Sequence, residues 1–222
     1  MKDKVFVILP AYNEDKRILT AIKQCKKYVD NVIVVDDGST DNTFNQAQKS
    51  GAITLKHIVN MGKGVAMKTG TEYAIQKGAD IIVVIDADGQ HNPSEIPRLI
   101  KLLKQKKVGI VLGMRQMPPD SPVIFRLGNW GLNQIFRIMF GSKIEDTQNG
   151  FRVFNAKVYP KLKWKSQRYF VETEMIINML KNKVSHVETP VQTFYHDHYK
   201  GTTVLIGLEY FIKMLEVKIG WV

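Results

Sequence analysis

Residues 86–90 read Asp-Ala-Asp-Gly-Gln and directly follow the apolar run 81–85. Two carboxylates one residue apart at a strand end can converge on a single cation. Such hard oxygen ligands suit Mg²⁺ or Mn²⁺, and Mg²⁺ completes its shell with water and substrate phosphates. The chemistry open to Asp86 and Asp88 is therefore metal-assisted handling of a phosphate. An isolated Asp-x-Asp-Gly also makes an ordinary solvated turn, so the rest of the chain must decide.

Other polar clusters are placed in the same way. Tyr12, Asn13 and Glu14 follow the apolar run 5–9, which Pro10 closes, and Asp36 and Asp37 end the run 32–35. Carboxylates accept hydrogen bonds from ribose hydroxyls and nucleobase N–H groups, which suits Asp36 and Asp37 to a nucleoside. Lys63 stands between Gly62 and Gly64 like a phosphate contact, without full P-loop spacing. Further on come residues 146–152 (Asp-Thr-Gln-Asn-Gly-Phe-Arg), then Glu172 and Glu174. His196 and His198 are metal ligands by type, but their polar neighbours and Gly201 read as a surface loop. The single cysteine, Cys25, excludes an internal disulfide and reads as a buried, inert thiol in a reducing compartment.

The elements that must position these residues follow from the pattern. Strand-like runs at 5–9, 32–35, 53–55, 80–85 and 108–112 alternate with helical stretches ending near 28, 76 and 104, and Asp41 is placed to cap a further helix. That alternation predicts βαβ units and a mostly parallel sheet. Ligands of such sheets bind outside the carboxyl ends of the strands, where the three acidic clusters would meet. Past residue 114 the alternation stops. Residues 123–140 are apolar apart from Arg126, Asn129, Asn133 and Arg137 at helical spacing, although Gly128 and Gly131 interrupt the pattern. Residues 203–219 repeat the theme, with Glu209, Lys213 and Glu216 on one face and Trp221 beyond. Each reads equally as a core helix or as an amphipathic helix at a membrane interface.

A chain of 222 residues with 44% hydrophobic content can bury one core, which predicts one domain with an appendage. Residues 1–4 run straight into a strand without a leader, and no apolar stretch reaches spanning length. The net charge of +11 is uneven: residues 1–100 carry 13 Lys+Arg against 12 Asp+Glu, and residues 101–222 carry 19 against 9. A near-neutral half for a small ligand and a basic half facing something anionic follow from that split. The greasy elements in the basic half favour lipid over nucleic acid as the anionic partner.

Taken together, residues 10–14 (Pro-Ala-Tyr-Asn-Glu), 34–41 (Val-Val-Asp-Asp-Gly-Ser-Thr-Asp), 60–64 (Asn-Met-Gly-Lys-Gly), 86–90 and 113–115 (Gly-Met-Arg) resemble glycosyltransferase family 2. The likeness is to its polyprenyl-phosphate branch, typified by dolichyl-phosphate mannose synthase, and covers residues 5 to about 200. It implies a GT-A type α/β fold with a mostly parallel central sheet and C-terminal amphipathic interface helices. Residues 1–200 would form the transferase domain, with the nucleotide-sugar half at 1–115 and the acceptor half at 116–200. Residues 201–222 would add the last helix.

The same resemblance implies roles. Pro10, Tyr12, Glu14, Asp36, Asp37, Lys63 and Asp86 would bind a GDP- or UDP-sugar. Asp86, Asp88 and Gln90 would arrange Mg²⁺ or Mn²⁺. Arg115, Arg126, Arg152 and Lys200 would receive a dolichyl or other polyprenyl phosphate, with Asp88, Arg115 and Glu174 catalytic. Lys200-Gly201-Thr202 replaces the Arg usual before Gly-x-Ser in this branch, giving a point charge without bidentate geometry. The implied reaction inverts the anomeric carbon at the cytoplasmic face of a membrane, on a peripheral protein with a membrane subunit as a further partner and no nucleic acid.

Two alternatives stand beside this. A glycan or other hydroxyl acceptor would need a carboxylate base, for which Glu172, Glu174 and Asp146 are candidates. A non-catalytic, membrane-associated nucleotide-sugar-binding protein would retain the fold without needing Asp88 or Arg115.

Overall fold

The computed structural model describes residues 3–115, 123–194 and 204–220. Seven strands form one sheet in the order β3-β2-β1-β4-β6-β5-β7. They are β1 (Val5–Ala11), β2 (Asn31–Asp36), β3 (Ile53–Lys56), β4 (Ile81–Val84), β5 (Ile110–Arg115), β6 (Arg152–Asn155) and β7 (His186–Val191). Neighbours pair in parallel except at β6, which runs antiparallel to both β4 and β5. The predicted mostly parallel sheet is therefore present, with a reversed strand that the sequence pattern did not announce.

Near-continuous Ile and Val in β1, β2 and β4 reflects burial on both faces, because successive side chains point to opposite sides. Phe6, Ile8, Ile33, Val35, Ile82 and Val84 face one core. That core is closed by α3 (Lys63–Gln76), α5 (Val123–Phe140), α6 (Tyr159–Leu162), α7 (Val171–Lys181) and α8 (Val204–Lys218). Val7, Leu9, Val32, Val34, Ile81 and Val83 face the other, under α1 (Ile18–Lys26), α2 (Thr43–Lys49) and α4 (Ile96–Gln105).

Gly128 and Gly131 do not break α5, which runs unbroken for 18 residues. Its Leu132 and Phe136 anchor it in the core. α8 is more than an appendage, since Tyr210 and Met214 are buried in that same core and the helix packs on α5. Among the described residues no helix is long and apolar enough to cross a membrane.

Candidate active site

The carboxyl ends of β1, β2 and β4 open into a cavity of about 470 Å³, lined by Pro10, Tyr12, Glu14, Asp37, Lys63, Asp86 and Asp88. The sheet thus brings together seven of the predicted residues from four separate segments. Arg168 and Tyr169, from the loop before α7, complete the wall.

Asp86 is the electrostatic centre. Lys63 Nζ lies 2.6 Å from Asp86 Oδ1 and 2.6 Å from Glu172 Oε1, so one ammonium bridges two carboxylates. Burial alone would push the Lys63 ammonium down in pKa, but Asp86 and Glu172 outweigh it and hold the lysine charged. Burial likewise works against an ionised Asp86; Lys63 and His91, whose Nε2 is 3.7 Å away, reverse that and keep its carboxyl low. Asp88 is raised, first by burial and then by the charge of Asp86. Gly150 is required here, because a Cβ at that position would press into the Asp86 carboxylate.

The nucleoside side departs from expectation in two places. Asp36 is fully buried on the same strand face as Val32 and Val34, lies off the cavity lining, and neither oxygen has a hydrogen-bond partner among the described residues. Period-two alternation turns it inward, so the expected nucleoside contact is not formed by this side chain. Asp37 reaches the cavity with its oxygens already engaged. It accepts from Met61 N at 3.0 Å and Gly62 N at 2.7 Å, and meets His57 Nδ1 at 2.7 Å. His57 Nε2 lies 3.0 Å from Thr69 Oγ1, so Asp37 acts as the anchor of the loop that delivers Lys63. Glu14 keeps its place on the cavity while pairing with Arg17 at 3.0 Å.

At the end of β5, Arg115 forms a two-pronged pair with Asp146, Nε to Oδ2 at 2.8 Å and Nη2 to Oδ1 at 2.9 Å. The Asp146 carboxyl, which burial would raise, is held low by that guanidinium. Glu188 on β7 accepts the Glu145 N–H at 3.0 Å and so braces the loop carrying Asp146. Arg152, expected to receive the acceptor phosphate, is instead enclosed in the interior. It is 1% exposed, with Nε and Nη2 on the carbonyls of Asn149 and Thr147 at 3.2 and 3.3 Å. Burial pushes its guanidinium down to about 10, against the pull of Glu172, Asp146 and Asp86, so it serves as an interior counter-charge.

Glu174 is corrected as well. Its two oxygens accept the backbone N–H groups of Lys165 and Ser166, both at 2.8 Å, which makes it an anchor rather than a group at the reacting centre. Glu172, two residues earlier, is the α7 carboxylate that reaches Lys63. The described contacts of Gln90 are made by its backbone, to Asp88 Oδ1 at 2.9 Å and from Phe194 N at 2.7 Å. Lys200, the His196 and His198 loop, Trp221 and the Arg126 side chain lie outside the described residues. His57, His91 and Arg168 were missed by the sequence reading, because none sits in a local pattern that marks it.

Among the described residues no group of three or more His, Cys, Asp or Glu side chains could hold a metal ion, so Asp86 and Asp88 do not belong to an all-protein metal cage. They do fit a divalent cation whose remaining ligands are water and phosphate oxygens, the usual arrangement for Mg²⁺ with nucleotides.

A parallel-sheet crevice with acidic residues at three strand ends and a lysine-bearing glycine turn defines an α/β fold whose ligand site lies outside the carboxyl ends of its strands. The model of the glycosyl transferase family 2 matches residues 6–163, and the chain belongs to that family. It is 34% identical, over 99% of its length and 98% of the relative's, to UDP-N-acetylglucosamine--dolichyl-phosphate N-acetylglucosaminyltransferase of Methanococcus voltae. It is 29% identical to the undecaprenyl-phosphate mannosyltransferase of Micrococcus luteus over 69% of this chain and 67% of that one. Glucosyl-3-phosphoglycerate synthase from Mycobacterium tuberculosis, solved with Mn²⁺, UDP and phosphoglyceric acid, shares the fold. Its TM-score is 0.76 at 22% identity, covering 98% of this chain and 79% of that one.

Proposed function

We propose that the protein transfers a sugar from a nucleotide-diphosphate donor to the phosphate of a dolichol or other polyprenol, with inversion, as a peripheral protein at the cytoplasmic face of a membrane. The observation that carries this reading is the state of the carboxylates offered as bases for a hydroxyl acceptor. Glu172 is tied to Lys63, Asp146 to Arg115, and Glu174 to two backbone N–H groups. A hydroxyl acceptor needs a free base. A phosphate acceptor is already ionised near neutral pH and needs only positioning and charge neutralisation. The named dolichyl- and undecaprenyl-phosphate relatives support the same acceptor class.

The residues divide the work between donor and acceptor. Asp86 and Asp88 would hold Mg²⁺ or Mn²⁺, which when bound offsets charge developing on the departing nucleotide diphosphate. Lys63, kept protonated between Asp86 and Glu172, adds a fixed positive charge beside that leaving group. Tyr12, Pro10 and Glu14, which line the same cavity, would hold the nucleoside. Arg115, aimed by Asp146, would orient the incoming lipid phosphate.

The test is a panel of UDP- and GDP-sugars with Mn²⁺ and polyprenyl phosphate. A solvent-extractable lipid-linked sugar is expected from at least one donor. Turnover only with sugar or other hydroxyl acceptors would refute the phosphate assignment. Asp88→Asn should lower kcat by on the order of a hundredfold or more with an unchanged melting temperature; unaltered turnover in that variant would leave a binding role only.

A further inference from the structure

Four carboxylates line the donor cavity, Glu14, Asp37, Asp86 and Asp88, against two cations, Lys63 and Arg168. Lys63 is committed on both sides, at 2.6 Å from Asp86 and 2.6 Å from Glu172. The Arg168 guanidinium has no hydrogen-bond or ion-pair partner among the described residues, and the residue is exposed and lines the cavity.

Its position is built. Residues 164–170 form a strap laid across the start of α3. Trp164 Nε1 donates to Gly64 O at 2.8 Å, and Gly64 N donates to Gln167 O at 2.6 Å. Glu174 holds the N–H groups of Lys165 and Ser166, and Tyr210 Oη donates to Tyr169 O at 2.7 Å from α8. A Cβ on Gly62 would strike Gln167 O and one on Gly64 would strike Ser166 O, so the strap rests directly on the turn that carries Lys63. The Arg168 Cγ stands 3.2 Å from where a Gly62 Cβ would be. Four anchors thus hold the backbone on either side of Arg168, and its stem starts over the lysine turn of an acidic cavity.

We propose that Arg168 binds the diphosphate of the nucleotide-sugar donor. The assignment rests on the nucleotide-sugar reading above and adds to it a residue from the second half of the chain. A planar guanidinium engages two phosphate oxygens at once, where an ammonium acts as a point charge. The cavity also needs such a group, since its carboxylates repel a diphosphate that a single divalent cation neutralises incompletely. Arg168 borders a smaller cleft of about 210 Å³ beside Tyr210 and Lys213 as well, so the phosphate could come instead from the lipid acceptor. Its stem over Gly62 favours the donor.

The experiment compares Arg168→Gln and Arg168→Lys with the wild type, after confirming equal melting temperatures. Dissociation constants are measured calorimetrically with Mn²⁺ for UDP, GDP and the two nucleosides, alongside KM for polyprenyl phosphate. Arg168→Gln should weaken the favoured nucleoside diphosphate by about tenfold or more, leaving its nucleoside within about twofold, and Arg168→Lys should recover part of the loss. An unchanged diphosphate affinity overturns the assignment. So does an equal loss for nucleoside and diphosphate, or a loss confined to KM for polyprenyl phosphate. A wild-type protein that binds neither UDP nor GDP overturns the nucleotide-sugar reading itself, whereas normal wild-type binding with an indifferent Arg168 overturns this inference alone.

Discussion

Asp146 and Arg115 turn a local geometry into a pH dependence. The folded pKa of Asp146 lies below its ordinary value, so its contribution to stability is fully present above the unfolded value of about 3.9 and is lost as pH falls through the folded one. Asp146→Asn should therefore destabilise at pH 7 by about 2 kcal/mol, less than the roughly 3 to 5 typical when a fully buried pair is broken, because Arg115 is 20% exposed. Urea melts at pH 7, 5, 4 and 3 should show the gap between variant and wild type closing below about pH 4. A gap that stays constant to pH 3 would contradict the pairing. Cys25 offers a second check at this scale. It is fully buried and burial pushes its thiol up to about 12, so it should resist thiol reagents in the native protein at pH 8 and react stoichiometrically in urea. At the residue scale, sequence legibility followed locality. Asp86 and Lys63 sit in short motifs whose geometry is local, whereas the choice between Glu172 and Glu174 depends on which side of α7 faces the lysine turn. Asp36 and Asp37 present the same problem on a strand, where neighbouring side chains face opposite ways and only packing shows which one reaches the cavity.

The strap 164–170 links elements far apart in sequence: α3 beneath it, α7 after it and α8 beside it. Its Tyr210 anchor also packs edge-on against Phe170 with centroids 5.6 Å apart. Tyr210→Phe keeps the ring and removes the hydrogen bond to Tyr169 O, which should cost about 1 kcal/mol. The more specific consequence is local opening. Limited trypsin digestion should cut after Lys165 or Arg168 faster in Tyr210→Phe than in the wild type, without matching acceleration elsewhere. Uniformly faster digestion would point to global destabilisation instead. No sequence pattern announced this strap, because its anchors pair side chains and backbone groups on separate elements, from Glu174 close by to Gly64 a hundred residues from Trp164. β6 escaped for a related reason: it is four residues long and antiparallel, and it breaks the βαβ rhythm that made the first 113 residues readable. The helical spacing of α5 was readable but its continuity through Gly128 and Gly131 was not, since the burial of Leu132 and Phe136 that offsets their propensity cost is a tertiary effect.

At the scale of the whole molecule, the near-neutral half supplies most of the cavity at the strand ends and the basic half supplies Arg168, Tyr169 and an outward apolar surface. Leu127, Trp130 and Ile138 are exposed along one side of α5, at spacings of three and eight residues. Leu208, Ile212 and Leu215 are exposed along one side of α8, at spacings of four and three, and the exposed Ile219 follows just past its end. Both stripes keep helical register while the opposite sides of the same helices are buried, so each helix has two apolar faces and only one is used by the core. An amphipathic surface flanked by excess Lys and Arg suits an anionic bilayer, with the charge acting at distance and the stripe at contact. The wild type should therefore co-sediment with vesicles containing anionic lipid, and Trp130 fluorescence should shift to the blue. Replacing Trp130, Ile212 and Leu215 together by Ser removes roughly 1 kcal/mol of apolar burial at each, so partitioning should fall by on the order of a hundredfold. All three side chains are exposed, so the melting temperature should hold. Raising the salt from 0.1 to 0.5 M should weaken binding of the wild type only in part, because screening acts on the charges and leaves the apolar contribution. Vesicle binding that vanished completely with salt, or that survived the triple replacement, would mean that charge alone holds the protein at the surface.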